Sequence, residues 1–217
     1  TARGVSFTFH PVGATGCTLL LFRPQEKEPY ARLKYPEAYH IGNTFAMLVF
    51  GLKIDEFEYA FQLDGPYDVS WGLLFDKNNV LLNPFAKAVT GQRNWGERPE
   101  SDEGFVYHAR VVENNFDWGK MTFPEIPAED LIIYETHVRG FSKDASSGVT
   151  AGGTFEGLRQ KIPYLKDLGV NAIELLPIFE FDEMESARVV DGVQLYNYWG
   201  YNTVSFFAPN TSYSSVV

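Results

Sequence analysis

The hydrophobic pattern changes near residue 130, and this change constrains the fold of the 217-residue chain more than any other feature. Leu131–Tyr134 and Val170–Pro177 are two short, largely apolar runs of strand length. Between them, one apolar helical face is formed by Phe155, Leu158, Ile162, Leu165 and Leu168. Strand, helix and strand in this order predict a βαβ unit with two parallel strands and a right-handed crossover.

The crossover also carries its own boundary signals. Thr154 is predicted to cap the helix N-terminus, because its hydroxyl can accept a backbone N–H. Pro163 is predicted to kink or divide the helix, since it lacks an N–H, and Gly169 is predicted to close it. The second strand is apolar almost throughout, so we expect both of its faces to be covered.

The first part of the chain has the alternation of half-buried strands. Val5, Phe7 and Phe9 alternate with polar residues, and the pattern recurs through 57–63 up to a turn signal at Asp64-Gly65-Pro66. Further runs of core length are Cys17–Phe22 and Phe45–Phe50. Residues 1–75 are therefore predicted to form a β-sandwich, and the fold class to be multidomain β plus α/β.

Residues 76–129 are predicted to be a connector. Glycine, asparagine and proline interrupt any periodic pattern there, yet apolar residues such as Leu81, Trp95 and Trp118 need burial. Residues 130–217 are predicted to be a third segment, which contains the βαβ unit.

Composition excludes several function classes. Eighteen basic against 28 acidic residues give a net charge of −10, so nucleic acid and anionic membranes are not expected partners. The apolar runs are all shorter than a membrane-spanning helix. We predict no protein-built metal site, because His10, His40 and His108 lack partners at metal-ligand spacing. Cys17 is predicted to be buried. The absence of an export signal predicts a cytoplasmic protein.

Four strings in a fixed order carry a family resemblance: Leu81–Val89, Tyr134–Phe141, Gly169–Pro177 and Asn197–Asn202. Together they resemble the α-amylase family of glycoside hydrolases and, within it, isoamylase-type debranching enzymes of glycogen and starch. The first part of the chain resembles the family-48 carbohydrate-binding module of those enzymes. The resemblance implies an immunoglobulin-like β-sandwich followed by the first βαβ portion of a (β/α)8 TIM barrel.

The resemblance also implies the activity. The parent protein is expected to hydrolyse α-1,6 branch linkages in glycogen or starch-type α-glucan with retention. A (β/α)8 barrel needs about 250 residues, and in this family the catalytic carboxylates lie on later strands than those found here. We therefore predict no catalytic residue and an inactive chain. Glu135 and Glu174, on or near the two strands, are interpreted as hydrogen-bonded or solvent-facing carboxylates.

An α-glucan is the expected partner, and the resemblance implies where it binds. Family members place an aromatic ring under the sugar, and the matching residue here is Tyr201, with Trp199 as its neighbour at the rim. A ring beneath the apolar face of a pyranose excludes water. The alternative is that both rings only pack the loop. Tyr196, Asn197 and Tyr198 are interpreted as structural residues.

Other candidates have two readings. Trp71 and Tyr67, beside the turn at 64–66, either contact glucan or pack. His137, at the end of the first barrel strand, either reaches a cleft or is a satisfied buried histidine. Arg139 is expected to pair with a carboxylate. The acidic runs at 56–58, 97–103 and 182–185 are expected to be solvated.

Two further functions remain alternatives. The chain is either a non-catalytic α-glucan-binding module or regulatory subunit, or part of a glucan branching or other transglycosylating enzyme. Glucan binding that depends on Trp71 would favour a module, whereas dependence on Tyr201 would favour a cleft.

Overall fold

The computed structural model describes residues 4–90, 94–97 and 107–216. The chain divides into two compact units. The first contains the described residues of 1–90 and 101–112, and the second contains those of 91–100 and 113–217. These borders differ from the predicted segments, since residues 76–90 belong to the first unit. The predicted divisions at 75 and 129 stay a prediction.

The first unit is built from strands. Their bounds are β1 (Gly4–Phe9), β2 (Gly16–Phe22), β3 (Ala31–Lys34), β4 (His40–Ile41), β5 (Thr44–Phe50), β6 (Glu58–Asp64), β7 (Tyr67–Asp68), β8 (Leu73–Leu74), β9 (Ala88–Thr90) and β10 (His108–Arg110).

Two antiparallel sheets of this unit pack through aromatic rings. One sheet has the order β1-β5-β4 and the other β3-β2-β6-β10-β9. The alternation predicted for β1 is confirmed: Phe7 lies 5.1 Å from the Tyr59 ring, and Phe9 stacks on Phe61 at 4.5 Å, measured between centroids. Because β1 and β6 belong to different sheets, these ring pairs form the core between them.

The larger sheet is also covered on part of its other face. Residues Leu19–Phe22 of β2, which lies between β3 and β6 in this sheet, are all buried. Phe22 stacks on the His108 ring at 3.7 Å, and His108 Nδ1 lies 3.2 Å from Glu58 Oε2. The prediction of a solvated Glu58 is therefore wrong, because Glu58 is only 2% exposed. Its hydrogen bonds outweigh the cost of burial and lower the pKa of its carboxyl.

The strand β5 differs from its prediction as a continuous core run. Only alternate residues point inward, so Phe45 is buried whereas Leu48 and Phe50 are exposed. The smaller sheet therefore presents apolar side chains on a face that the described residues do not cover. Cys17, as predicted, is buried, and burial raises the pKa of its thiol far above the usual value.

The second unit mixes short helices with paired strands. Its elements are β11 (Ile133–Thr136), α1 (Val138–Ser142), α2 (Phe155–Gln160), α3 (Ile162–Asp167), β12 (Ala172–Leu175), β13 (Phe179–Phe181), β14 (Arg188–Val190), β15 (Val193–Leu195) and β16 (Thr203–Pro209). The pair β11–β12 is parallel, whereas β13–β16 and β14–β15 are antiparallel.

The predicted βαβ unit and its boundary signals are confirmed. The Thr154 hydroxyl accepts the N–H of Gly157 at 3.2 Å, as an N-cap should. Pro163 stands in the first turn of α3 and divides the crossover into α2 and α3, because the missing N–H is tolerated there. Gly169 adopts φ of 91° just after α3. A left-handed residue at this position ends a helix, and glycine adopts it without steric cost.

The parallel pair is less covered than its apolar sequence predicts. Ile132 and Ile133 are 55% and 57% exposed, and Ile173 of β12 is 41% exposed. The expectation that β12 is covered on both faces is therefore not met by the described residues. The physical reason is that the sheet holds two strands and the crossover helices cover only part of it.

The core of this unit lies beside the parallel pair. It is formed by the buried side chains of Val138, Leu158, Phe181 and Tyr213. Within the described residues, we find no helix of the length and apolarity that crossing a membrane requires.

Candidate functional site

A groove opens at the carboxyl ends of the two parallel strands. Its volume is about 350 Å3, and it is lined by Tyr134, Glu135, Thr136, His137, Gly140, Phe141, Leu176 and Trp199. Thr136 is the last residue of β11, and Leu176 follows β12 directly. In barrel proteins, sites form at this end of the strands because the loops after the strands meet there.

His137 joins this end of β11 to the loop at 196–202. Its Nδ1 accepts the backbone N–H groups of Arg139 and Gly140, each at 3.1 Å. Since Nδ1 faces two donors, the proton lies on Nε2, which donates to the carbonyl oxygen of Tyr198 at 2.8 Å. The side chain is buried at 6% exposure. The structure therefore supports the interpretation of His137 as a buried histidine with both ring nitrogens hydrogen-bonded.

The electrostatics at His137 agree with a neutral ring. Burial lowers the pKa of its imidazole, and the charge of Arg139 acts in the same direction. The hydrogen bond to Tyr198 opposes these two effects without cancelling them.

Two contacts hold the Tyr198 side chain at the base of this loop. Its ring stacks on the His137 imidazole, with centroids 4.1 Å apart and planes 10° apart. Its hydroxyl lies against Gly140, where an added Cβ would collide with it. Glycine is thus required at 140 for the approach of the phenol ring.

Gly200 is the second fixed point of the loop. It has φ of 77°, and an added Cβ would lie 2.5 Å from the Phe181 ring. Trp199 lies between Tyr198 and Gly200, and Tyr201 follows Gly200. Both side chains project outward, with exposed fractions of 61% and 68%. Their ring centroids are 6.5 Å apart and their planes 31° apart. The two rings predicted to contact sugar therefore form one exposed aromatic surface on a fixed loop.

The residues interpreted as structural have packing or hydrogen-bonding contacts. Tyr196 lies against Gly96, where an added Cβ would be 2.8 Å from its ring. The backbone N–H of Asn197 donates to the carbonyl oxygen of Glu183 at 2.9 Å. These contacts join the loop to other parts of the second unit.

The carboxylate partner expected for Arg139 is not found among the described residues. No carboxylate within the described parts of the chain forms a salt bridge with it; its guanidinium lies 4.7 Å from the centroid of the Trp95 ring. Trp95 in turn stacks on Tyr213 at 5.9 Å with planes 7° apart. The indole face replaces the expected carboxylate as the partner of the cation.

Two buried carboxyl groups escaped the sequence analysis. Glu180 and Glu183 are both 0% exposed, so the solvated acidic run predicted at 182–185 is wrong for Glu183. Glu183 accepts the Ser212 hydroxyl at 2.7 Å, and Glu180 accepts the N–H of Thr211 at 2.8 Å. Burial raises the pKa of both carboxyls, that of Glu180 to about 8. Their partners Ser212 and Thr211 lie 29 and 31 residues further along the chain, so no local sequence signal marks the burial.

Glu135 and Glu174 are exposed partners in register on adjacent parallel strands. In-register neighbours project side by side from one face of a sheet. Retaining glycoside hydrolysis needs one carboxyl on each side of the scissile bond, one to attack the anomeric carbon and one to protonate the leaving oxygen. We therefore assign them no catalytic role.

Trp71 and Tyr67 belong to a small hairpin of the first unit. Tyr67 starts β7, and Trp71 ends the single helical turn between β7 and β8. They are 81% and 69% exposed, so the hairpin presents both rings to solvent.

Known proteins resemble the chain over most of its length, although no family model matches it. It is 40% identical over 178 residues to the chloroplastic isoamylase 3 of Oryza sativa subsp. japonica, which covers 80% of this chain and 23% of that protein. It is 31% identical over 225 residues to the glycogen debranching enzyme of Serratia proteamaculans, covering 98% of this chain and 33% of that protein.

A solved structure agrees with these relatives. The pullulanase type I of Bacillus subtilis, crystallised with maltose, aligns with a TM-score of 0.70 and 25% identity over 99% of this chain and 28% of that one. The chain is thus related to glycoside hydrolases of the α-amylase family, as its motifs predict. Its homologues within that family are isoamylases and glycogen debranching enzymes. It spans only about a quarter to a third of their length.

Proposed function

We propose that this chain is the N-terminal part of an isoamylase-type debranching enzyme and supplies part of its α-glucan-binding surface. The parent hydrolyses α-1,6 branch linkages in glycogen or starch-type glucan with retention. The observation that carries the proposal is the anchored pair of exposed rings, Trp199 and Tyr201, beside the carboxyl ends of parallel strands. The names of its relatives support the same substrate class.

The proposal includes a particular architecture. Residues 1–75 are an immunoglobulin-like β-sandwich of the carbohydrate-binding-module type, 76–129 a connector, and 130–217 the start of a (β/α)8 barrel. Two facing antiparallel sheets and one parallel βαβ unit support it. The exposed apolar side chains of β11 and β12 are those that further barrel strands and helices would cover.

The chain needs no cofactor for this role and binds sugar by stacking. A pyranose presents C–H bonds on one face, and a flat ring against that face removes apolar surface from water. The rings of Trp199 and Tyr201, 6.5 Å apart, are therefore the surface proposed for this stacking.

Calorimetry with maltotetraose tests the binding surface. We expect Tyr201→Ala and Trp199→Ala to weaken binding by roughly tenfold each, the loss typical of one stacked aromatic contact. Tyr164→Ala is the matched control, because Tyr164 is also exposed but lies on α3. Equal losses in all three variants would contradict a specific ring surface.

The chain itself is expected to be inactive. Reducing ends released from a branched glucan by the 217-residue chain should not exceed the buffer level, because Glu135 and Glu174 cannot flank a bond. Turnover that is abolished by Glu135→Gln would overturn this part of the proposal.

The hairpin of Trp71 favours one alternative, a non-catalytic glucan-binding module or regulatory subunit. Its two exposed rings form a second possible sugar surface. In the same calorimetry, binding lost on Trp71→Ala but kept on Tyr201→Ala supports the module. A branching or transglycosylating parent is less supported, since the relatives described above bear debranching names.

Compartment remains a prediction. The rice relative is named as chloroplastic, whereas the Serratia relative is bacterial. We retain a cytoplasmic location as the proposal for this chain.

A further inference from the structure

We propose that His137 is a positioning residue for the sugar-stacking surface: it fixes Trp199 and Tyr201 by binding the backbone and ring of Tyr198. The inference rests on the proposed glucan-binding function. His137 itself is buried, so it acts through the loop rather than by touching sugar.

The two nitrogens of His137 hold different parts of the chain. Nδ1 accepts two N–H groups from the first turn of α1, those of Arg139 and Gly140. Nε2 donates to the Tyr198 carbonyl, 61 residues further along the chain. One rigid ring therefore sets the distance between the start of α1 and the loop, which neither element sets by its own local hydrogen bonds.

The surroundings of the imidazole leave it little freedom to rotate. The Tyr213 hydroxyl lies 3.2 Å from Nε2, and the Trp95 ring meets the imidazole edge to face at 6.2 Å. The Tyr198 ring covers one face at 4.1 Å. A ring flip would place a carbon atom opposite the Tyr198 carbonyl and lose the hydrogen bond, so this environment selects one orientation.

This anchor lies one residue from Trp199 and three from Tyr201. Holding the Tyr198 carbonyl orients the following peptide group, and Gly200 against Phe181 fixes the other end of the turn. A surface held in its bound shape before the ligand arrives loses less conformational entropy on binding. His137 is thus expected to improve glucan affinity without contributing contact area.

Two substitutions separate the two bonds of the imidazole. The side-chain oxygen of His137→Asn can replace Nδ1 and cap α1, but the shorter side chain cannot reach the Tyr198 carbonyl. His137→Gln can donate to that carbonyl from its amide but leaves the cap unmade. A purely structural role through the cap predicts that Asn is the better replacement, whereas the positioning role predicts Gln.

The test combines maltotetraose calorimetry with hydrogen exchange of the amides of residues 197–201, on the complete chain. We expect His137→Asn, which loses the buried hydrogen bond to the Tyr198 carbonyl, to weaken binding by roughly tenfold. His137→Gln, which keeps this bond, should weaken it by roughly twofold or less. Exchange in this loop should rise in Asn and stay near wild type in Gln. Thermal unfolding of each variant verifies that it is folded.

Gly140→Ala perturbs Tyr198 from its other side. The new methyl group displaces the phenol ring without removing either hydrogen-bonding nitrogen of His137. We expect it to reproduce the binding loss of the Asn variant.

The outcomes are distinct. The positioning role would be overturned if His137→Asn bound maltotetraose as tightly as the wild type. It would also be overturned if His137→Gln lost as much affinity as His137→Asn. If the wild-type chain does not bind maltotetraose, the proposed function fails. The exchange data then still decide whether His137 holds the loop, because they need no sugar.

Discussion

Glu180 is a carboxyl that folding removes from water. One of its oxygens accepts the N–H of Thr211, and the other has no hydrogen-bond partner among the described residues. Burial raises the pKa of Glu180 to about 8. The folded state therefore binds a proton that the unfolded state releases near pH 4.5. The contribution of Glu180 to stability should therefore fall as the pH rises from about 4.5 to about 8, by on the order of a few kcal/mol.

Glu180→Gln should remove the contribution of Glu180 to the pH dependence of stability, because the amide stays neutral and can still accept from Thr211. We expect the variant to be more stable than the wild type at pH 9 and to differ little at pH 5. Urea unfolding at both values measures the free energies. Glu174→Gln is the control on an exposed carboxylate. If the wild type and Glu180→Gln show the same change in the free energy of unfolding between pH 5 and pH 9, Glu180 is charged in the folded chain.

At the scale of elements, Gly157 sets how closely α2 approaches α1. An added Cβ there would collide with the Ala151 carbonyl and lie 2.7 Å from the Ser142 hydroxyl oxygen. Helix propensity alone predicts that Gly157→Ala stabilises α2 by about 1 kcal/mol. The packing predicts the opposite sign, a destabilisation of roughly 1–3 kcal/mol.

The sign of this effect decides between propensity and packing. Chemical denaturation of Gly157→Ala should show a lower unfolding midpoint than the wild type. Lys166→Ala on the exposed side of α3 provides the comparison, and we expect a change within about 0.5 kcal/mol there. A raised midpoint for Gly157→Ala would mean that the two helices can separate at little cost.

At the scale of the whole molecule, the two units are covered to different degrees. Residues 19–22 of β2 are buried between β3 and β6, whereas β11 and β12 form a sheet of two strands with exposed isoleucines. Exposed strands with few apolar contacts open at low free energy. Amide exchange should therefore be slow in β2 and β6 and fast in β11 and β12. Equal protection in the four strands would contradict the view that the parallel pair lacks its covering layers.

Local sequence patterns were sufficient to predict the elements whose boundaries depend on neighbouring residues. The cap at Thr154, the division at Pro163 and the end at Gly169 follow from backbone chemistry within a few residues, so the sequence alone predicts the crossover. The alternation in β1 identified its inner face for the same reason. The order of motifs likewise identified the family.

Long-range contacts determined the remainder. Glu58 and Glu183 were expected in water but are buried, because His108 and Ser212 reach them from distant positions. Arg139 lies over Trp95, more than 40 residues earlier in the chain, rather than against a carboxylate. His137 could be ranked as buried or functional from its position, yet its four contacts to α1, the loop and Tyr213 exist only once the chain has folded. A side chain's charge and size are local properties, but its partners depend on which distant segments pack beside it.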